Sequence, residues 1–176
     1  MDRLVQAWKL AAVKDWELHI VGEGHMREQL EEMVSGREDV VFHGWKSQAE
    51  VRDLMADSKW LTMPSVCYEG FGMVLVEAFS EGTPVIVPQL GVMPEVAGHG
   101  QRGLVYDQTI EGLAEALRAA SAMPQDKYEE LVAAGRDATD AEYASDSNLL
   151  MLMSIYRTAG TRKSGGKVPV FRPSRA

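Results

Sequence analysis

The sequence predicts an α/β protein, a Rossmann-like parallel sheet with helices on both faces. Three observations carry that prediction. Apolar periodicity alternates between strand-like and helix-like segments along the chain. The four or five strand segments are short and almost continuously apolar, as expected of parallel strands covered on both faces. The chain has 176 residues and is 45% hydrophobic, enough for one ordinary core. Parallel strands joined through helices take right-handed crossovers.

The elements follow in order. Residues 2–14 read as a helix with Leu4, Val5, Trp8, Leu10 and Ala12 among its apolar positions. A strand near 16–21 is followed by a helix near 25–34, which Ser35-Gly36 ends. A second strand lies near 39–43. Ser47, with Glu50 three residues on, forms a capping box that starts a helix near 48–57. A third strand (KWLTMP) stops at Pro64, and the loop SVCYEGFG leads into a helix near 72–81 ended by Gly82. A fourth strand near 84–87, a helical turn near 93–97 and a short strand near 103–106 follow. The remainder reads as helices over 109–122, 125–142 and 145–158. These elements predict one domain over 1–159 and a basic, disordered tail over 160–176.

Charge narrows the function classes. The net charge is −8, but residues 160–176 carry +5, which leaves −13 on the rest. So acidic a body repels a nucleic-acid backbone, and nucleic acid is excluded as its partner. The tail reads as a solvated end or as an anchor to an acidic surface or a partner domain. No run of about 18 apolar residues predicts a membrane span, and no leader pattern opens the chain. A single cysteine, Cys67, cannot form an internal disulfide, and the chain reads as cytoplasmic.

In a doubly wound sheet, ligands sit beyond the carboxyl ends of the strands, so the loops there are read for chemistry. Gly22-Glu23-Gly24 follows a strand and opens a helix. Position 27 is Arg, so the dinucleotide fingerprint fails, and the turn serves equally as an anion cradle or as a plain strand-to-helix turn. In the loop after the third strand, Gly70 and Gly72 flank Phe71 where a helix begins. The amides of Phe71, Gly72 and Met73 there would favour phosphate or developing negative charge. Glu69 lies just before this turn and Glu77 one helical turn inside, so both carboxylates could edge one cleft and accept hydrogen bonds from sugar hydroxyls. The same spacing also suits a Glu77 that only complements the helix dipole and a Glu69 that is a solvated loop acid. The four histidines show no metal-ligand spacing, and His19, in mid-strand, reads as structural. No Asp-x-Asp pair, nucleophile elbow or Walker A pattern occurs. No metal and no cofactor is expected. Trp8, Trp16 and Trp60 read as packing residues, and Trp45 as a loop residue at a strand's carboxyl end.

The run PSVCYEGFGMVLVEAFSEGTPVIVPQLGVMPEV closely resembles the donor-binding domain of glycosyltransferase family 4. VGEG, VVFHGW, EGTPVI and RGLVY extend the resemblance over roughly residues 2–158. It implies a carboxyl-terminal, nucleotide-sugar-binding half of the two-domain GT-B architecture, with Glu69 and Glu77 as the signature Glu-x7-Glu pair. By the same resemblance Glu77 binds the nucleotide's ribose, and Glu69 lies against the donor sugar as the catalytic residue. Gly70, Phe71, Gly72 and Met73 contact sugar and diphosphate, Gly22 and Gly24 face the cleft, and Trp45 and Lys46 meet the base. Gly91 through Glu95 match a loop near the helix that follows the donor turn. The resemblance further implies a retaining, metal-independent transferase acting on a glycan or lipid-linked acceptor, in the cytoplasm or at the cytoplasmic face of a membrane. The family's Gly-Arg…Lys-Gly diphosphate segment and its amino-terminal acceptor domain have no counterpart in these residues, so the chain is expected to be inactive alone. A non-catalytic nucleotide-sugar-binding module and half of a GT-B epimerase are the alternatives.

Overall fold

The structure, a computed structural model, describes residues 1–143 and 145–160. The described chain divides into a compact unit, Met1–Asp137, and a second unit that starts at Ala138. In the first unit the elements run α1 (Asp2–Ala11), β1 (Leu18–Val21), α2 (Arg27–Met33), β2 (Val40–Gly44), α3 (Gln48–Asp57), β3 (Leu61–Thr62), α4 (Met73–Glu81), β4 (Val85–Pro88), α5 (Met93–Val96), β5 (Gly103–Tyr106), α6 (Ile110–Ser121) and α7 (Gln125–Ala138). A π-helical turn at Thr139–Tyr143 and α8 (Ser145–Gly160) belong to the second unit. On α8, Leu149, Met151, Leu152, Ile155 and Tyr156 are exposed. The expected basic tail lies outside the described residues beyond Gly160.

All strand pairs are parallel, and helices cover them, as the fold class requires. The strands nonetheless form two sheets: β1–β2 alone, and β3–β4–β5 with β4 in the middle. Among the described strands, only β4 is buried at every position. β1 alternates buried and exposed, which corrects the expectation that every strand is covered on both faces. Leu18 and Ile20 face the core, while His19 and Val21 point outward.

Alternate residues of β4 serve two cores, as the two-residue strand period demands. Ile86 joins one apolar cluster with Leu4, Val5 and Trp8 of α1 and Leu113 and Leu117 of α6. Val85 and Val87 join the other with Met55 of α3, Leu75 and Phe79 of α4 and Met93 of α5. α1 therefore closes one face together with α6, and α3 and α4 close the other. Burying side chains of this size contributes about 1.5–3 kcal/mol each. Trp8 also ties α1 to the sheet, since its indole N–H donates to Asp39 at 2.9 Å just ahead of β2.

Candidate functional site

Apart from Met73 and Glu77, which lie on α4, the predicted site residues lie on the loops at the carboxyl ends of the strands, and each loop is shaped by an identifiable local cause. After β1, Gly22 takes φ +118 and donates its amide to the Gly44 carbonyl at 2.8 Å, which binds the ends of β1 and β2. Gly44 itself takes φ +67, and a β-carbon there would press on the guanidinium of Arg27. Arg27 in turn bonds Glu31 at 2.8 Å and lies over the Phe42 ring. Gly24 has open space around its α-carbon and needs no special backbone.

The capping box at the start of α3 forms as its sequence predicts. The Glu50 amide donates to Ser47 Oγ, and the Ser47 amide donates to the Glu50 carboxylate at 2.9 Å. Lys46, expected beside a nucleotide base, sends its ammonium to Glu50 at 2.9 Å. That contact, with the Ser47 hydrogen bonds, pushes the Glu50 pKa down to about 2. The side-chain charge of Lys46 is thus engaged by α3. The indole of Trp45 stands 72% exposed at the rim.

The turn into α4 is the most constrained part of the site. Gly72 adopts the left-handed conformation (φ 76, ψ 51) as the N-cap of α4 and is buried. A β-carbon there would come within 3.2 Å of Leu75 and 3.6 Å of the Met93 sulfur, so no other residue fits without displacement. No side chain caps this helix start, where the Leu75 amide donates to the Gly72 carbonyl at 2.9 Å. Just ahead of the turn, Ser65 Oγ donates to Glu69 at 3.3 Å and holds the carboxylate toward the loop. Tyr68 lies against Gly91, where a β-carbon would meet its ring at 3.0 Å. The loops after β3 and β4 are therefore packed on one another. Phe71 and Met73 are exposed, and Glu77 is half-buried on α4.

Gly22, Trp45, Lys46 and Pro64 line one cavity of about 1260 Å³. Gly70 through Met73, Glu69 and Glu77 are not among its walls; they stand beside it on the loop and helix that continue from Pro64. Arg3 and Gln108 were not singled out by sequence reasoning. Arg3 donates to the Gln108 carbonyl and, with Pro64 and Ser65, lines a small crevice behind the loop after β3. No sequence pattern marks that pair, because the two residues are 105 positions apart. The Ser65–Glu69 bond is readable in principle from their spacing. His19 stacks on His43 with ring centroids 5.0 Å apart and bonds it at 2.9 Å. It belongs to an exposed histidine pair rather than to the interior. Among the described residues, no cluster of three or more His, Cys, Asp or Glu side chains is placed to hold a metal ion, and no helix is long and apolar enough to cross a membrane.

Parallel strands wound with helices on both faces, and glycine turns gathered at their carboxyl ends, define a Rossmann-type half of a GT-B glycosyltransferase fold. The chain belongs to the family of glycosyl transferases group 1, whose model matches residues 1–122. It is 35% identical over 160 residues to the phosphatidyl-myo-inositol mannosyltransferase of Mycobacterium leprae, covering 89% of this chain and 41% of that protein. Among solved structures it is similar to Anabaena HepE in complex with UDP, with a TM-score of 0.76, 21% identity, and coverage of 89% of this chain and 45% of that one. It is also similar to the C-terminal domain of a group 1 family glycosyl transferase from Francisella tularensis, with a TM-score of 0.72, 19% identity, and coverage of 81% of this chain and 78% of that one. The chain spans between 26% and 41% of the length of the first curated relatives it matches.

Proposed function

We propose that this chain is the donor-binding domain of a retaining, metal-independent glycosyltransferase that moves a sugar from a nucleoside diphosphate sugar to an acceptor hydroxyl. The observation that carries the reading is the uncapped start of α4 at the left-handed Gly72, flanked by Glu69 on the loop and Glu77 on the helix. When the sugar–phosphate bond breaks, negative charge builds on the leaving diphosphate. Amides fixed at a helix start stabilise that charge without having to reorganise. Glu77 accepts hydrogen bonds from the ribose hydroxyls. Glu69, held by Ser65, lies against the donor sugar, and Gly22, Gly24, Trp45 and Lys46 line the nucleotide end.

Support comes from family membership, from the mannosyl transfer in the name of the Mycobacterium leprae relative, and from the UDP in the Anabaena structure. The acceptor, a glycan or lipid-linked hydroxyl at the cytoplasmic face of a membrane, belongs to an amino-terminal domain of the longer enzyme. The isolated chain is accordingly without transferase activity.

Titration of the isotope-labelled chain with UDP and with GDP, each in excess chelator and then in Mg²⁺, tests the reading by NMR. Saturable shifts at Gly22, Lys46 and Gly70–Met73 are expected for at least one nucleotide, with the same affinity with and without metal. No shift at these amides overturns the donor-site reading. A gain in affinity on adding Mg²⁺ overturns metal independence.

A further inference from the structure

A line of three titratable groups crosses from β1 to β2 just ahead of the proposed nucleotide loops. Glu17 Oε2 lies 3.1 Å from His19 Nε2, and His19 Nδ1 lies 2.9 Å from His43 Nε2. An ionised carboxylate only accepts, so Glu17 assigns the ring hydrogen of His19 to Nε2. Nδ1 of His19 is then the acceptor, and His43 donates to it through Nε2.

This bond joins the strands where their pairing is irregular. Ile20 stands opposite Phe42 and Val21 opposite Gly44, which leaves His43 as an extra residue, a bulge in β2. One residue beyond the bulge, Gly44 takes φ +67 and its carbonyl accepts the Gly22 amide at 2.8 Å. The chain then passes directly into Trp45 and Lys46. A side-chain bond thus ties β1 to β2 at the step where the backbone ladder is interrupted and the nucleotide loop begins.

The bond also limits how many protons the two rings can hold. With it in place there is room for three: one toward Glu17, one shared, and one on His43 Nδ1. A fourth has to enter between two nitrogens 2.9 Å apart and sets two donors head to head. The surrounding charges add to this. Burial first, then the charges of His19 and Lys46, hold His43 below the ordinary histidine value of 6.5. Lys46 is itself held by Glu50 at 2.9 Å, and Arg27 and Glu23 approach Gly44, the next residue of the chain.

We infer that the His19–His43 bond is a proton-operated clasp, in which both histidines are positioning residues for the Gly44–Lys46 loop and acid lowers nucleotide affinity by releasing that loop. The effect on nucleotide rests on the donor-site reading. The sign follows from linkage. The closed pair resists a proton that the open rings accept freely, so the clasp is intact above pH 6.5 and is lost as pH falls below it. One excluded proton favours opening by up to about tenfold per pH unit.

NMR of isotope-labelled chain 1–176 at pH 7.5 and 5.5 reads the clasp without a ligand. The His43 ring is expected to titrate at higher pH once His19→Gln removes the neighbouring charge. Exchange of the Gly22 amide, corrected for the intrinsic effect of pH, should quicken at least threefold at pH 5.5. Affinity is read with UDP-glucose and GDP-mannose, whose diphosphates are esterified at both ends and lack the group that titrates near pH 6 in a terminal phosphate. Whichever binds more tightly should lose at least threefold in affinity between pH 7.5 and 5.5. His43→Gln keeps an N–H for His19 but takes up no proton, so it should hold its affinity across this range. His43→Leu should bind at pH 7.5 about as weakly as the wild type binds at pH 5.5. Gly22 protection that is the same at both pH values overturns the inference, and this readout needs no variant to fold. An acid loss of affinity as large in His43→Gln as in the wild type overturns it too. Failure of both nucleotide sugars to bind at pH 7.5 counts against the donor reading alone, and Gly22 exchange then decides the clasp.

Discussion

Glu69 and Glu77 stand on either side of the left-handed turn at Gly72, and in the proposed site the loop carboxylate and the helix carboxylate address one ligand. The proposed roles separate by substitution. Gln keeps an acceptor but removes the charge, and a hydrogen bond to a charged group contributes about 1.5–3 kcal/mol. Glu77→Gln is therefore expected to weaken a nucleoside diphosphate and its matching nucleotide sugar alike, by somewhat less than that range. Glu69→Gln should spare the diphosphate and weaken only the nucleotide sugar. Line-shape titrations of both variants with both ligands check this. Diphosphate binding that is untouched by Glu77→Gln in a folded protein returns Glu77 to the role of a dipole-complementing helix acid.

α3 shows the same logic in an element. Its start is set by Ser47 and Glu50, and Ser47→Ala is expected to cost about 1 kcal/mol, whereas Ser47→Asn keeps the cap. Urea unfolding monitored by circular dichroism reads the difference. Glu50 adds a pH dependence. Its folded pKa, about 2, lies below the ordinary 4.5, so the stability it confers is fully present above pH 4.5 and is lost as pH falls toward 2. The Tm gap between wild type and Glu50→Gln should accordingly be open at pH 6 and close between pH 4.5 and 2. The start of α3 was legible because a cap is local chemistry, and so was the turn into α4, where Gly72 takes the left-handed backbone that favours glycine. The end of α1 was not. The helix pattern runs on to Lys14, but the backbone leaves the helix at Ala12 (φ 51) and turns again at Asp15 (φ 61), neither of which is a glycine. Nor was the division into two sheets legible, since an apolar run reads the same whether its strand has one partner or two. The engagement of Lys46 by Glu50 is legible from their i, i+4 spacing, which sets a lysine and a glutamate side by side at the start of the helix.

At the scale of the whole molecule, every residue of the two buried apolar clusters lies at or before Ala120. Deleting residues 161–176 is therefore expected to leave the Tm of the Met1–Asp137 unit within about 5 °C, a little over 1 kcal/mol for a domain of this size. Differential scanning calorimetry of the truncated chain checks this, and a larger drop would show that the tail is docked. The pairing of α1 with α6 has a further consequence, in the timing of folding. Ala11 and Ile110 are 99 positions apart, yet their helices share one core. At a synthesis rate of about 5–20 residues per second, α1 leaves the ribosome roughly 5–20 seconds before the helix that covers its apolar face exists. Over that interval Leu4, Val5 and Trp8 lack the cover that α6 gives them, and contacts this distant in sequence make for slow closure once α6 is made.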